Sequence, residues 1–295
     1  MNFSFRQLRA FLAVAETASF TKAAAQLHVT QAGLSAMIRE LEQSLDCRLF
    51  ERSTRSVSLT AAGRDLLPTV HKTVADLSGA IQDVSARNAG QEQVLRLGVT
   101  PLIASSILPQ VLQAFALRHP DWRAEVADLD RGLIEQGVEN GTLDAGFGAF
   151  FQKSAGIRRR QLFPAELMLA QPPDAPRRKA ALAWNRIDPE KLISLPAGNA
   201  IQQRVDRLLP PAPRRRGTYS HLETVLAMVE AGLGEAVVPS FSAVAGRRWR
   251  VRLQALAPRV AVDYFVISRS GRPLNAALEG FSQCLRQAAQ GVPPS

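Results

Sequence analysis

Thr30, Gln31, Ser35 and Arg39 place hydroxyl, carboxamide and guanidinium groups one and then four residues apart, on what would be one face of a helix. Such groups can hydrogen-bond base edges in the major groove of DNA. The small Ala32 and Ala36 among them would not crowd that approach. A second polar set, Arg52, Ser53, Thr54 and Arg55, lies between two short apolar runs, where its arginines could reach phosphates or the minor groove. Hydrolytic and redox chemistry find less to work with. Asp128-Leu129-Asp130 pairs two carboxylates, but a spacing of two at a strand end is weak for general acid–base work. The chain has no GxSxG, HExxH, Walker A or dinucleotide fingerprint, so no enzyme is expected. Cys47 and Cys284 are the only cysteines and lack CxxC spacing, and His28, His71, His119 and His221 are scattered. No disulfide framework, metal site or cofactor is therefore expected. A redox sensor would need two cysteines able to meet.

The 295 residues suffice for two or three domains, and 46% apolar residues allow sizeable cores. No window approaches eighteen uninterrupted apolar residues, so no membrane helix is expected. The segment from Met1 to Arg6 lacks a basic region leading into an apolar stretch and a cleavage site, which predicts a cytoplasmic protein. The net charge of +10 is distributed against a simple nucleic-acid reading: residues up to Gln91 carry only +2, and the remainder +8. The basic runs Arg158-Arg160, Arg177-Lys179 and Arg214-Arg216 lie in a loop-like, Pro-rich context and read as solvated surface. The argument for DNA rests on pattern.

The elements that would position these groups follow from periodicity. Phe5, Leu8, Phe11-Leu12 and Ala15 predict a first amphipathic helix. Ser19 caps a second over 20–27, with Lys22 near its start, and His28-Val29 makes a turn. Thr30 caps a third, with Leu34, Ile38, Leu41 and Leu45 on its buried stripe. Residues 47–52 and 57–59 predict a hairpin with the polar turn 53–56 at its tip. Two short helices, a tight turn, a third helix and a hairpin form a winged helix-turn-helix. Gly33, in the first turn of the third helix, costs about 1 kcal/mol relative to Ala.

The order and spacing of Phe5-Arg6-Gln7-Leu8-Arg9-Ala10-Phe11, Ser19-Phe20-Thr21-Lys22-Ala23-Ala24, Leu27-His28-Val29-Thr30-Gln31, Leu34-Ser35, Ile38-Arg39-Glu40-Leu41-Glu42, Leu49-Phe50-Glu51-Arg52, Leu59-Thr60 and Ala62-Gly63 resemble the LysR-type transcriptional regulators. The resemblance implies that Thr30, Gln31, Ser35 and Arg39 face the major groove. It also implies that Arg52, Ser53, Thr54 and Arg55 form the wing and that Lys22 contacts the DNA backbone. The chain departs from the family at Ala32, where Pro is common, and at Ala36 and Met37, so base preference does not transfer.

From Thr60 the pattern stays helical to about Gly90. Leu67, Val70, Val74, Leu77, Ile81 and Val84 are spaced 3, 4, 3, 4 and 3, a coiled-coil seam, with Pro68 near its start. The seam packs either on its own domain or on a second copy. The resemblance favours the second, which pairs two DNA-binding domains over a roughly palindromic promoter site.

Beyond Gly90 strands alternate with helices: strands at 94–99, 122–128 and 144–148, and helices at 101–118 (capped by Thr100) and 131–140. A second series holds strands at 167–170, 192–194, 235–238 and 264–268, with helices from 200, over 221–231 and over 274–289. Alternation argues a parallel sheet with helices on both faces. Leu108-Pro109, Gly141-Thr142-Leu143-Asp144, His221-Leu222-Glu223-Thr224-Val225, Val229-Glu230-Ala231-Gly232-Leu233-Gly234 and Val238-Pro239 resemble the LysR-type effector domain. The expected architecture is multidomain. An all-α-rich winged helix-turn-helix (1–59) and a linker helix (60–90) precede an α/β effector domain (91–291) resembling type 2 periplasmic binding proteins. Its two subdomains would be about 92–162 with 267–291, and 163–266. A bare solute-binding protein is the rival for this part, set aside by the front of the chain. Ligands in such sheets sit at strand ends near helix N-termini, which nominates Thr100, Gly148, Asn199, His221 and Thr224. The apolar Leu102, Ile103 and Ala104 hint at an effector with an apolar part, such as a small organic or aromatic acid. Implied partners are double-stranded DNA, that effector, a homodimer or homotetramer and RNA polymerase, with no membrane.

Overall fold

A computed structural model describes residues 3–52, 57–89, 92–152, 154, 156–177, 180–210, 215–242, 249–271 and 275–290; of these, the side chains of 52, 76, 80 and 82–89 are outside the description. The chain divides into two compact units, one built from Met1–Gln91 with Asn140–Thr142 and one from Glu92–Glu139 with Leu143–Ser295.

In the first unit α1 (Phe5–Thr17) opens with a reciprocal cap. The Ser4 hydroxyl accepts from the Gln7 amide, and the Gln7 side chain accepts from the Ser4 N–H at 2.7 Å. Ser19 caps α2 (Phe20–Gln26), and Thr30 caps α3 (Gln31–Ser44) by accepting from the Gly33 amide at 3.1 Å. His28 joins them in the left-handed region at φ 52°. Phe11, Ala23, Leu34, Ile38 and Leu41 are fully buried, and Phe50 packs on Phe11 and Phe20 at ring distances of 5.4 and 5.9 Å. The hairpin strands β1 (Phe50–Arg52) and β2 (Val57–Leu59) pair antiparallel. The first is shorter than the expected 47–52, because the backbone before it is committed elsewhere. Glu42 accepts from the Leu49 and Phe50 amides, and the Leu49 carbonyl accepts from the Thr60 amide.

α4 (Ala61–Ala89) starts at Thr60, whose hydroxyl accepts from the Gly63 amide at 3.0 Å. Its expected seam divides in two. Val70 is buried in the first unit's core, with Leu67 and Val74 packed against it. Leu77 and Ile81 are 43% and 52% exposed. The Val84 side chain lies outside the described residues.

The second unit runs β3 (Gln93–Val99), α5 (Pro101–Ser106), α6 (Leu108–Arg118), β4 (Trp122–Asp128), α7 (Arg131–Asn140), β5 (Ala145–Gly148), β6 (Ile157–Gln171), β7 (Leu182–Ala183), β8 (Ile193–Ser194), α8 (Ala200–Asp206), β9 (Gly217–Thr218), α9 (Leu222–Glu230), β10 (Ala236–Pro239), β11 (Arg252–Ala257), β12 (Ala261–Arg269) and α10 (Ala276–Gln290). The single helix expected over 101–118 is broken at Ile107. Pro109 would place its ring against the Ser105 carbonyl and offers no N–H to it.

The expected all-parallel sheet is mixed. β4, β3 and β5 are parallel, but β12 runs antiparallel to both β5 and β6, and β10 and β11 pair antiparallel with β6. The strand expected at 167–170 is the end of a fifteen-residue one, β6, which contains the basic run Arg158-Arg160. That run is not a loop: Arg159 donates to the Phe150 carbonyl at 2.8 Å and lies over the Phe265 ring, and Arg160 forms a bidentate pair with Glu279. β6 and β12 pass through both subdomains, so the expected boundaries at 162/163 and 266/267 fall inside these two strands. Their register shifts at Tyr264/Phe265. The residues paired there, Phe163 and Tyr264, stack at 5.3 Å, and Phe241 meets Tyr264 edge-on at 4.9 Å.

Candidate functional site

On α3, Gln31, Ala32 and Arg39 are exposed and Ser35 is half-buried, whereas Leu34, Ile38 and Leu41 are buried. Lys22 and Thr30 are exposed at the starts of α2 and α3. The Arg39 Nε donates to the Ser35 carbonyl at 3.3 Å, which holds the guanidinium along the helix. Thr30 spends one hydroxyl lone pair on its cap but keeps its own hydrogen to donate. Gly33 has a reason that helix propensity alone does not supply: a Cβ there would sit 3.1 Å from the capping Thr30 Oγ1. Ser53, Thr54 and Arg55 fall outside the described residues, as does the side chain of Arg52.

In the second unit a cleft of about 100 Å³ opens between the ends of β3 and β5 on one side and the starts of α8 and α9 on the other. Thr100, Asn199 and His221, all nominated from sequence, line it. Thr100 has the backbone of a helix cap, but its side chain makes no capping bond, contrary to the expectation. Asn199 does cap: its Oδ1 accepts from the Ile201 and Gln202 amides, leaving its NH₂ for the cleft. Gly148 is not in the lining. It lies beneath Thr100, where an added Cβ would approach Thr100 Cγ2 at 2.6 Å, so its lack of a side chain seats the threonine. Thr224 lines an adjoining hollow instead, together with Ser105, Asp128 and Leu133. Of the apolar trio, Leu102 reaches the cleft, while Ile103 is buried in the core.

The cleft also contains residues that sequence reasoning passed over: Asp130, Arg131, Glu223 and Tyr264. Arg131 begins α7, which packs tightly on the sheet; a Cβ on Gly146 would collide with Ile134. The guanidinium donates to the Ala149 carbonyl at 3.3 Å and lies 5.4 Å from the Phe151 ring centre. It has no carboxylate within ion-pair distance among the described residues. Tyr264 is 2% exposed, its ring is held by Phe163 and Phe241, and it lines the cleft. No hydrogen bond to its hydroxyl occurs among the described residues. Burial pushes the phenol well above its ordinary pKa, Arg131 opposing and Glu223 adding, so it remains a neutral donor. Glu223 accepts from the Ser105 hydroxyl at 2.9 Å. At the rim, the Asp128 carboxyl is raised by desolvation and by Glu223 and Asp130, with His221 opposing. The only sequence signal for this cluster was the Asp128-Leu129-Asp130 pair, read in the context of catalysis.

Neither cysteine takes part. Cys47 is half-buried in the first unit, and Cys284 is buried in α10. No group of three metal-ligating side chains occurs among the described residues, and no helix there is long and apolar enough to cross a membrane.

A helix-turn-helix with an exposed polar third helix, followed by a two-subdomain α/β unit with a polar cleft, defines a class of ligand-responsive bacterial DNA-binding proteins. Residues 5–64 match the family described as "Bacterial regulatory helix-turn-helix protein, lysR family", and residues 88–290 match "LysR substrate binding domain". The chain belongs to the LysR family, as a DNA-binding transcriptional regulator with an effector-binding domain rather than an enzyme. It is similar to a "Probable hydrogen peroxide-inducible genes activator" of Mycobacterium avium, at 30% identity over 93% of this chain and 88% of that one. Its fold is similar to that of a full-length OxyR variant from Pseudomonas aeruginosa (24% identity, TM-score 0.77, covering 97% of this chain and 95% of the other). It is also similar to full-length CbnR in complex with its target DNA (24%, 0.67, 97% and 100%).

Proposed function

We propose that the chain is an effector-controlled regulator in which α3 reads a roughly palindromic promoter site. Thr30, Gln31, Ser35 and Arg39 face the major groove, Lys22 contacts the backbone, and the wing residues Arg52, Ser53, Thr54 and Arg55 reach phosphates or the minor groove. The domains are 1–59, 60–90 and 91–291, and the protein acts in the cytoplasm. Two copies pair through the seam of α4, whose Leu77 and Ile81 are exposed, as a dimer or within a tetramer; RNA polymerase is the downstream partner. The effector is a small organic acid, with or without an aromatic ring, and it binds in the cleft at Thr100, Asn199 and His221. The observation that carries this reading is that Arg131 and the buried Tyr264 both line the cleft, the guanidinium without a carboxylate partner and the tyrosine hydroxyl without a hydrogen bond among the described residues. An anion would satisfy both. Its binding would favour one angle between the subdomains, and it acts on DNA only through that difference in affinity.

Thermal melts of the full chain against small organic acids, aromatic acids, amino acids and inorganic anions test this. A ligand at 100 times its Kd adds about 2.7 kcal/mol, a shift of several degrees. Loss of the shift in Thr100→Val places the ligand in the cleft, whereas a shift unaffected by that change removes the cleft assignment. Neither Cys47 nor Cys284 lines the cleft.

A further inference from the structure

The charges around the cleft do not suit a simple anion. Among the described residues Arg131 is the one arginine or lysine in the lining, whereas Asp130 and Glu223 line it too and Asp128 stands at the rim of the adjoining hollow. Asp128 and Asp130 have no ion pair or side-chain hydrogen bond among the described residues, and Glu223 has only the Ser105 hydroxyl. His221, exposed between these carboxylates, is the other titratable group facing them. Asp128, Asp130 and Glu223 thus lie within electrostatic reach of one another, without an ion pair among the described residues, and Asp130 and Glu223 share the cleft with the Arg131 guanidinium and Tyr264. The site offers donors to a carboxylate and uncompensated carboxylates to a cation, the two groups that a zwitterion carries.

Resting on the cleft reading above, we propose that the effector is an amino-bearing carboxylate, its carboxylate toward Arg131 and the Tyr264 hydroxyl and its ammonium toward Glu223 and Asp130. The carboxylate gains a charge-assisted contact and a neutral donor that needs no deprotonation. The ammonium offsets repulsion that the unliganded site carries among its own acids. The cleft has room for a ligand the size of an α-amino acid, and Leu102, Leu195, Ile201 and Leu222 supply an apolar wall for an aliphatic side chain.

Titration calorimetry on the full chain tests this with the common L-amino acids. For the tightest of them, its deaminated acid and its decarboxylated amine follow. The zwitterion is expected to bind at least tenfold more tightly than either. Glu223→Gln should bring the amino acid down to the affinity of its deaminated acid while leaving that acid unaffected. Asp130→Asn, at an exposed position, should do the same to a smaller degree and serves if the first variant melts early. A plain carboxylate that binds as tightly as any amino acid, and loses affinity in Thr100→Val, overturns the zwitterion and leaves the cleft reading standing. Amino-acid affinity unchanged in both acid variants overturns it as well. Failure of every amino acid and every plain acid overturns both.

Discussion

The two units carry their proposed contacts in opposite ways. On the first, Gln31, Ser35 and Arg39 follow one another along a single helix, and Leu34, Ile38 and Leu41 of that same helix build the core. One periodicity therefore specifies both fold and surface. In the second, the cleft draws Thr100 from a strand end, Arg131 from a helix start, Asn199 and Glu223 from two other helices and Tyr264 from a strand more than forty residues beyond the last of these. No local pattern links those segments; β6 and β12, which pass through both subdomains, bring them together. A surface made by one element tolerates changes elsewhere in the molecule as long as that element is held, whereas a site made by five depends on all of their packing.

The first way to break this comparison is through the support of α3. Phe50 touches no DNA in the proposed mode but fills the space between Phe11 and Phe20. Phe50→Ala should cost the first unit about 3–5 kcal/mol and abolish DNA binding. Urea unfolding followed in the isolated transitions should show the second unit unchanged; equal loss in both units would mean that they do not melt independently.

A smaller effect sharpens the other half of the contrast. Gln31→Ala leaves the core intact and should relax base preference at one position in each half-site, worth about 1–3 kcal/mol of discrimination. Selection from randomised duplexes reads this directly. An unchanged preferred sequence would remove α3 as the reading element and leave the phosphate contacts to account for binding.

The smallest effect is electrostatic. Desolvation and the neighbouring Glu223 and Asp130 raise the Asp128 carboxyl, so folding disfavours its charged form. That cost is present in full above the raised value and is relieved as pH falls toward the ordinary carboxylate range. Asp128→Asn should therefore melt slightly higher than the parent at pH 7, and the gain should shrink in melts taken at progressively lower pH. A variant less stable than the parent at pH 7 would show Asp128 in a favourable contact and weaken the picture of an acid-crowded rim.

Several elements were legible in advance for identifiable reasons. Ser19 and Thr30 cap α2 and α3 as expected, because a cap depends on residues within one turn. Trp122–Asp128 and Arg131–Asn140 appear with their expected bounds, each set by local alternation or by a turn. The long β6 was not legible. Its first half, with Arg158-Arg160, looks like a solvated loop until Glu279, Phe150 and Phe265 supply partners from far along the chain. The break at Ile107 was in principle readable from Pro109.

The sequence by itself determined the helix-turn-helix, its caps and the exposed polar residues of its third helix, the linker helix and the family to which they belong. These rest on interactions between residues three to seven apart, whose periodicity is written in the chain. Tertiary structure alone decided that the sheet is mixed and that the first half of the linker seam packs on its own unit. It also decided that Gly148 supports Thr100 and that Arg131, Glu223 and Tyr264 share one cleft. Those outcomes depend on which distant surfaces meet, and burial and charge act between groups according to distance in space, with no regard to separation along the chain.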